Sequence, residues 1–152
     1  MKNLRVLVLS ASFGAGHISA AKAIIEAIQS KQPDAEINHL DYFAEFFNKT
    51  LYNLVRAFYV GLIKHVPWIW GKLYYKAGRL APDSLIQRWL NQVGRTGLLK
   101  YIQATEPDVI VCTYPTLAGI LGELRLYGLL DVPVVTVVTD FVAHRQWVHH
   151  GI

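Results

Sequence analysis

The order of apolar strands and helices along the chain constrains its fold most. Residues 4–9, LRVLVL, form a β-branched and leucine-rich run without alternation, which is typical of a strand buried on both faces. The patterns predict a helix over 19–31, a second strand over 35–40, and buried strands over 108–112 and 132–138. The sequence TLAGILGELRLYG predicts a helix between the last two strands. Such alternation predicts an α/β domain of three layers, with a mainly parallel sheet between helices.

A helical, amphipathic insertion of about residues 42–104 is expected after the second strand. Asp41 is placed to cap its first helix. Apolar residues at spacings of three and four predict one helix face, made of Phe43, Phe47, Leu51, Leu54, Phe58 and Leu62. Pro67 interrupts this pattern, and Pro82 begins another helix that carries Leu85, Trp89, Val93, Leu98 and Tyr101 along one face. We expect residues 43–64 to be partly core and residues 66–80 to face outward.

The charge and the aromatic residues concentrate in this insertion. Residues 46–100 hold nine basic side chains against one acid, and residues 42–80 hold eleven of the 18 aromatic residues. Basic helices with Trp and Tyr are typical of the headgroup plane of an anionic membrane. The expected membrane-binding residues are Trp68, Trp70, Lys72, Tyr74, Tyr75 and Lys76. No nucleic-acid motif accompanies the charge, so a nucleic-acid partner is not expected.

The bulk composition limits the class of protein further. At 152 residues the chain is sized for one domain. The single cysteine, Cys112, excludes an internal disulfide and indicates a reducing compartment, and its place in DVIVC predicts a small buried strand residue. No uncharged run approaches the about 20 apolar residues of a membrane-spanning helix, and MKNLRVLVLSAS does not read as a signal peptide.

The segment SFGAGH follows the first strand and opens a helix. Gly14 and Gly16 let the backbone turn tightly and approach a ligand, and the helix N-terminus favours an anion or a developing oxyanion. In a parallel sheet, TYPT and TDFVAH reach the same edge as SFGAGH, where ligands bind at a topological switch point. On spacing alone the motif is weak, and it favours a packed turn with a helix-capping histidine over a ligand site.

Two longer strings carry a family resemblance. SASFGAGHISAAKAI resembles the first strand-to-helix junction of the monogalactosyldiacylglycerol synthase and processive diacylglycerol glucosyltransferase family, and VVTDFVAHRQWVHHG resembles a later segment of that family. The resemblance extends over the whole chain. A looser likeness is to the lipid-linked N-acetylglucosamine transferase of peptidoglycan synthesis.

This resemblance implies a GT-B glycosyltransferase with two Rossmann-like domains. Residues 1–152 match the N-terminal, acceptor-binding domain, so we expect the donor domain to be absent and the isolated chain to be inactive. The implied reaction transfers a hexose from a UDP-sugar to diacylglycerol, with no metal and no cofactor, at the cytoplasmic face of a membrane by peripheral attachment. The sequence leaves open whether the hexose is glucose or galactose, and it leaves the oligomeric state open.

The resemblance also implies site residues. His17 matches the proposed catalytic base, and its imidazole suits a proton transfer near neutral pH. The implied substrate-binding residues are Ser12, Gly14, Gly16, Tyr114, Asp140, His144 and Trp147. Asp140 would orient an imidazole or a sugar hydroxyl, and Trp147 would contact acyl chain or glycerol.

Each of these roles has a structural alternative. His17 could instead bond a loop carbonyl and order the turn, Asp140 could cap the next turn, and Trp147 could simply be buried. His149 and His150 lack partners at metal-ligand spacing and read as a solvated tail. For the whole chain, the alternatives are a non-catalytic peripheral lipid-binding module and a nucleotide-binding domain with Asp41 on the ribose.

Overall fold

The computed structural model describes residues 3–69, 71–72, 91–92, 94–141 and 145–152. Its elements in chain order are β1 (Arg5–Ser10), α1 (Ala15–Lys31), β2 (Glu36–Asp41), α2 (Tyr42–Phe46), α3 (Lys49–His65), α4 (Arg95–Thr105), β3 (Val109–Cys112), α5 (Pro115–Leu126), β4 (Val134–Thr136) and a 3₁₀ turn (Arg145–Trp147). All four strands are parallel in the order β2-β1-β3-β4. The predicted α/β class, with a helical segment after the second strand, is confirmed.

Strand β1 divides the interior into two layers. Because side chains alternate along a strand, Leu7 and Leu9 face the layer that contains α5, whereas Val6 and Val8 face the layer that contains α1. Every one of these four side chains is at most 2% exposed. The apolar run that predicted a strand buried on both faces therefore has that environment, and the two layers complete the three-layer architecture.

The last strand departs from the prediction. A buried strand was expected over 132–138, but β4 has three residues and, of the described strands, pairs with β3 alone at the end of the sheet. Val135 is 48% exposed and Val138 is 44% exposed. The prediction of burial was wrong because an apolar run does not distinguish a central strand from an edge strand.

Helix α1 begins four residues before its predicted start at Ser19. Gly14 is the N-cap, with φ of 113°, a backbone conformation that favours glycine. Gly16 and His17 therefore lie in the first helical turn and not in the preceding loop. Because His17 is part of the helix, the backbone of α1 sets the direction in which its side chain leaves the chain.

The single helix expected over 43–64 is two helices. Helix α2 ends at Phe46, and the side chain of Asn48 accepts a hydrogen bond from the Thr50 amide at 2.9 Å to cap α3. The break separates the predicted apolar face. Phe43 and Phe47 pack against the core, but Leu54 is 66% exposed and Phe58 is 67% exposed.

Several predictions fall on residues outside the described ones. These are the membrane-binding assignments of Trp70, Tyr74, Tyr75 and Lys76, the site residue His144, and the helix from Pro82 with Leu85, Trp89 and Val93. Leu98, from the same predicted face, is fully buried in α4. Among the described helices, none has the length and hydropathy needed to cross a bilayer.

Candidate functional site

The site lies where the strand order reverses. The chain passes from β1 to β2 on one side and returns to β3 on the other, so the carboxyl ends of β1 and β3 flank a topological switch point. The loop after β1, Thr113 and Tyr114 after β3, and Thr139 and Asp140 after β4 meet there. The sheet thus assembles the three sequence segments that were predicted to share this edge.

His17 is held through one ring nitrogen. Its Nδ1 lies 2.7 Å from the carbonyl oxygen of Thr113 and 2.6 Å from Oγ1 of Thr139. A carbonyl oxygen can only accept, so Nδ1 carries the proton and donates it. The hydroxyl of Thr139 is 3.5 Å from the same carbonyl, which gives its own proton an acceptor. The partners therefore assign the neutral tautomer that has its lone pair on Nε2.

A second pair of contacts fixes the backbone under the imidazole. The Thr113 hydroxyl donates to the carbonyl of His17 at 3.0 Å, and it lies 3.4 Å from the carbonyl of Leu9 at the end of β1. Thr113 is fully buried. Strand β3 thereby holds both the backbone and the ring of His17, which orients Nε2 toward the glycine junction.

The two glycines of the junction have different surroundings. A Cβ built on Gly14 would lie 3.5 Å from Cδ2 and 3.8 Å from Nε2 of His17, and 3.9 Å from the hydroxyl of Tyr59. Among the described residues, a Cβ on Gly16 would meet nothing within 4 Å. No described neighbour therefore requires glycine at position 16, and the first turn of α1 is exposed at Ala15 and Gly16, where a helix N-terminus presents backbone amides.

Aromatic rings surround this junction. Tyr114 meets the imidazole of His17 edge to face at 4.9 Å between centroids, and it meets Phe43 in the same way at 5.6 Å. Phe13, in the loop after β1, packs against Phe43 at 4.8 Å and Tyr59 at 5.6 Å. These rings place apolar surface beside the imidazole of His17.

Asp140 and Trp147 contact each other. The indole Nε1 donates to the Asp140 carboxylate at 2.6 Å, and Trp147 is 4% exposed with its ring 6.4 Å from that of His17. The hydrogen bonds of the His17 imidazole go to Thr113 and Thr139. That Asp140 orients an imidazole or a sugar hydroxyl stays a prediction. Contact of Trp147 with acyl chain or glycerol stays a prediction.

Ser12 and Asp41 form the other side of the junction. The Ser12 hydroxyl donates to the Asp41 carboxylate, whose second oxygen accepts from the amide of Ala44 at 3.2 Å. Asp41 therefore caps α2 as predicted, and it ties the loop after β1 to that helix.

Burial changes the acidity of three site and core groups. Desolvation, and then the charge of Asp140, raises the pKa of Tyr59. Desolvation raises the pKa of Tyr114 strongly, with smaller contributions from Tyr59 and Asp140. Both phenols are thus protonated at neutral pH. Burial also raises the pKa of Cys112 to about 11, so this thiol is an inert core group, as its strand position predicted.

The sequence did not single out four residues of this site. Thr113 and Thr139 lie in segments assigned to the right edge, but their contacts with His17 span 96 and 122 positions, which no local pattern encodes. Phe13 and Tyr59 were missed for another reason. Tyr59 falls outside the apolar series that ends at Phe58 and Leu62, yet its ring meets Phe13 at the junction.

The outer surface of α3 carries apolar residues without acidic neighbours on the helix. Its sequence KTLYNLVRAFYVGLIKH contains no Asp or Glu. Leu54, Val55 and Phe58 are exposed to 66%, 44% and 67%. Beyond the helix, Trp68 is 64% exposed and the Lys72 ammonium lies 5.3 Å from its ring centroid. Trp68 and Lys72 are the two predicted membrane-binding residues that the structure describes.

The carboxyl-terminal histidines differ from the prediction of a solvated tail. His149 packs against α5, where its ring would contact a Cβ on Gly119, and its Nε2 lies 2.7 Å from the carbonyl of Gln146. Burial lowers the pKa of His149. His150 is exposed. Among the described side chains, no group of three His, Cys, Asp or Glu could hold a metal ion.

Comparison with known proteins agrees with the resemblance of the two strings. The family model of monogalactosyldiacylglycerol (MGDG) synthase matches residues 17–152. Processive diacylglycerol beta-glucosyltransferases of Bacillus thuringiensis (strain Al Hakam) and Bacillus cereus (strain B4264) are each 28% identical over 156 residues. The alignment spans 100% of this chain and 38% of each relative. No solved structure matches significantly.

Proposed function

The chain belongs to the monogalactosyldiacylglycerol synthase family, and we propose that it forms the acceptor-binding part of an enzyme that transfers a hexose from a UDP-sugar to diacylglycerol. The chain spans 38% of the length of the curated relatives it matches. Binding of the UDP-sugar is assigned to the part of the relatives outside this match. On their own, the 152 residues are expected to form no glycolipid.

The fixed tautomer of His17 is the observation that carries this proposal. A lipid hydroxyl is a weak nucleophile at neutral pH and needs a base. In the proposed step the hydroxyl oxygen forms a bond to the anomeric carbon, its proton passes to Nε2 of His17, and UDP leaves with the electron pair of the broken bond. Because Nδ1 donates to Thr113 and Thr139, Nε2 is the nitrogen that has the lone pair for this proton.

The surroundings of Nε2 suit an amphiphilic acceptor. Diacylglycerol presents one hydroxyl next to a large apolar body, and the junction presents one basic nitrogen next to Phe13, Tyr59 and Tyr114. The ring geometry therefore supports a lipid alcohol.

The exposed residues of α3 support attachment to a membrane. Leu54 and Phe58 are about two-thirds exposed, and Lys64 and His65 in the last turn are basic. Apolar residues at an interface together with cations favour an anionic lipid surface. The sequence predicted membrane attachment through residues 66–80. The proposed attachment surface adds the outer side of α3 to that segment.

The proposal is tested in a chimeric protein. Residues 1–152 replace the matching part of the Bacillus cereus relative, and turnover of UDP-glucose with diacylglycerol is measured for His17→Ala and His17→Asn. Loss of a positioned base is expected to lower kcat by about 10² to 10⁴-fold. Asn keeps one hydrogen bond to the Thr113 carbonyl but cannot take a proton near neutral pH. His150→Asn, at an exposed position, is the matched control and is expected to keep its turnover.

The two substitutions separate the base from a structural role. If His17→Asn kept near-normal kcat with an unchanged melting temperature, His17 would order the turn and the assignment as base would be wrong. If the His150→Asn control were fully inactive, loss of turnover in the chimera would not be specific to loss of the base. The alternative of a non-catalytic lipid-binding module predicts vesicle binding by residues 1–152 and no turnover even in the chimera that carries His17.

A further inference from the structure

Two oxygens from different segments hold the same ring nitrogen of His17. The carbonyl oxygen of Thr113, after β3, lies 2.7 Å from Nδ1, and the hydroxyl oxygen of Thr139, after β4, lies 2.6 Å from it. These two oxygens are 3.5 Å apart, so the Nδ1–H group is shared between them. A ring held by one acceptor can tilt about that bond, and a second acceptor from another segment removes this freedom.

The segment that carries Thr139 is itself held in place. The Thr139 oxygen accepts from Nδ1–H, and its own proton points to the Thr113 carbonyl. The next residue, Asp140, accepts a hydrogen bond of 2.6 Å from the indole of Trp147, which is 4% exposed. The buried indole therefore anchors the chain that places the Thr139 hydroxyl beside the imidazole.

The proposed step places a positive charge on this ring. When the acceptor hydroxyl gives its proton to Nε2, the imidazole of His17 becomes an imidazolium with a proton on both nitrogens. Hydrogen bonds from a charged donor are shorter and about twice as strong as neutral ones. The two oxygens therefore bind the ring more strongly in the transition state than in the free enzyme, and an interaction of this kind raises kcat.

We infer that Thr139 is a positioning residue for the transfer, because its hydroxyl holds the His17 ring in the plane that directs Nε2 to the acceptor and stabilises the ring once it is charged. This inference rests on the proposed function of the site. No proton passes to Thr139, since Nδ1 keeps its proton throughout and Nε2 gains the one from the lipid. Thr113 differs from Thr139 in that its acceptor for Nδ1–H is a backbone carbonyl, which any residue at that position would supply.

The kinetic test uses the chimera that carries residues 1–152 in the Bacillus cereus relative. Thr139→Val keeps the shape of the side chain, removes its oxygen, and is expected to lower kcat about tenfold to a hundredfold. The KM for diacylglycerol is expected to change by less than about twofold, because Thr139 acts through the imidazole and not on the ligand. Thr139→Ser restores the hydroxyl without the methyl group and is expected to regain most of the wild-type kcat.

Thr136→Val is the matched control. Thr136 lies in β4, and its hydroxyl oxygen is 3.6 Å from the sulfur of Cys112. The substitution makes the same chemical change in the same part of the chain and is expected to leave kcat and KM unchanged. An equal loss of kcat in Thr136→Val and Thr139→Val would assign both effects to packing at the sheet edge and overturn the inference.

A magnetic resonance measurement on the wild-type 152-residue chain tests the contact without any substitution. Because the Thr139 oxygen lies 2.6 Å from Nδ1, the Nδ1 proton is expected to exchange slowly enough to be observed and to show a nuclear Overhauser cross-peak to Thr139. Absence of this resonance, or of its cross-peak to Thr139, would overturn the inference even if Thr139→Val failed to fold.

Failure of the inference and failure of the proposed function give different results. If Thr139→Val kept the wild-type kcat while His17→Asn lost it, His17 would stand as the base and the role of Thr139 would be wrong. If His17→Asn kept the wild-type kcat, the assignment of the base and the inference would both be wrong. If the chimera with wild-type residues 1–152 formed no glycolipid, the proposed function would be wrong and the inference would fall with it.

Discussion

Strand β1 and helix α3 use their apolar residues in opposite ways. Five of the six residues of β1 are buried, and its Leu7 and Val8 face different layers of the core. In the 17-residue helix α3, by contrast, Leu54 and Phe58 are about two-thirds exposed. Burial within the domain explains the composition of β1 but not that of α3. Large apolar side chains that the fold leaves in solvent indicate an outside partner.

The same difference applies to the polar groups. At the ends of β1 and β3, Thr113 hydrogen-bonds both the ring and the backbone of His17, through its carbonyl and its hydroxyl. Helix α3 contributes to the site through Tyr59 while its outer residues remain open to solvent. The domain thus has a hydrogen-bonded site around His17 at the sheet edge and, on the outer side of α3, a separate exposed apolar surface.

The largest expected effect is on stability. Leu9→Ala, at a fully buried position of β1, is expected to lower the free energy of unfolding by about 2 to 5 kcal/mol. Leu54→Ala makes the same chemical change on α3 and is expected to change it by less than about 0.5 kcal/mol. Urea denaturation of both variants measures the difference. Equal losses of unfolding free energy in the two variants would show that Leu54 is packed as tightly as Leu9. The contrast between α3 and β1 would then be wrong.

The next effect is on membrane binding. Phe58→Ser is expected to weaken binding to vesicles of anionic lipid about tenfold, because an apolar side chain in the interface contributes about 1.5 to 3 kcal/mol when fully buried. Leu126→Ser is the matched control, since Leu126 is 62% exposed but lies at the end of α5. Co-sedimentation with vesicles gives both affinities. Equal weakening by the two variants would indicate general adhesion of apolar residues.

A smaller effect is expected from charge. Lys72→Gln is expected to lower affinity for anionic vesicles about fivefold, because one basic residue near such a surface contributes about 1 kcal/mol. Added salt should reduce the difference between the variant and wild type. Lys31→Gln, at the exposed end of α1, is expected to have no effect. A loss that persists with neutral vesicles would assign Lys72 to its contact with Trp68 and not to lipid charge.

The sequence predicts the centre of the fold better than its margins. The apolar runs of β1 and β3 are long enough to require burial, and the glycine junction, Asp41 as a cap, and the shared edge of the sheet all follow from local rules. The edge position of β4 and the break before α3 do not follow from hydrophobicity. Asn48 carries the signal for that break, because it is a helix-capping residue inside an apolar pattern.

The sequence names candidate site residues but not the contacts that hold them. The string around His17 points to the residue, yet the partners that fix its tautomer lie 96 and 122 positions away. Those contacts exist because β3 lies beside β1 and the segment after β4 reaches the same edge of the sheet. Tyr59 reaches the site from α3, a helix separate from α2, and its ring meets Phe13 there. Tertiary arrangement decides both cases.

The ring-nitrogen state of His17 tests the central claim most directly. Two-bond ¹H–¹⁵N correlation spectra of the 152-residue chain, above the pH at which the ring is protonated, distinguish a protonated Nδ1 from a protonated Nε2. The contacts with Thr113 and Thr139 predict a proton on Nδ1 and a lone pair on Nε2. Thr139→Val should retain this tautomer, because the Thr113 carbonyl remains. A neutral ring with its proton on Nε2 would contradict the account, since the nitrogen facing the acceptor could not then serve as the base.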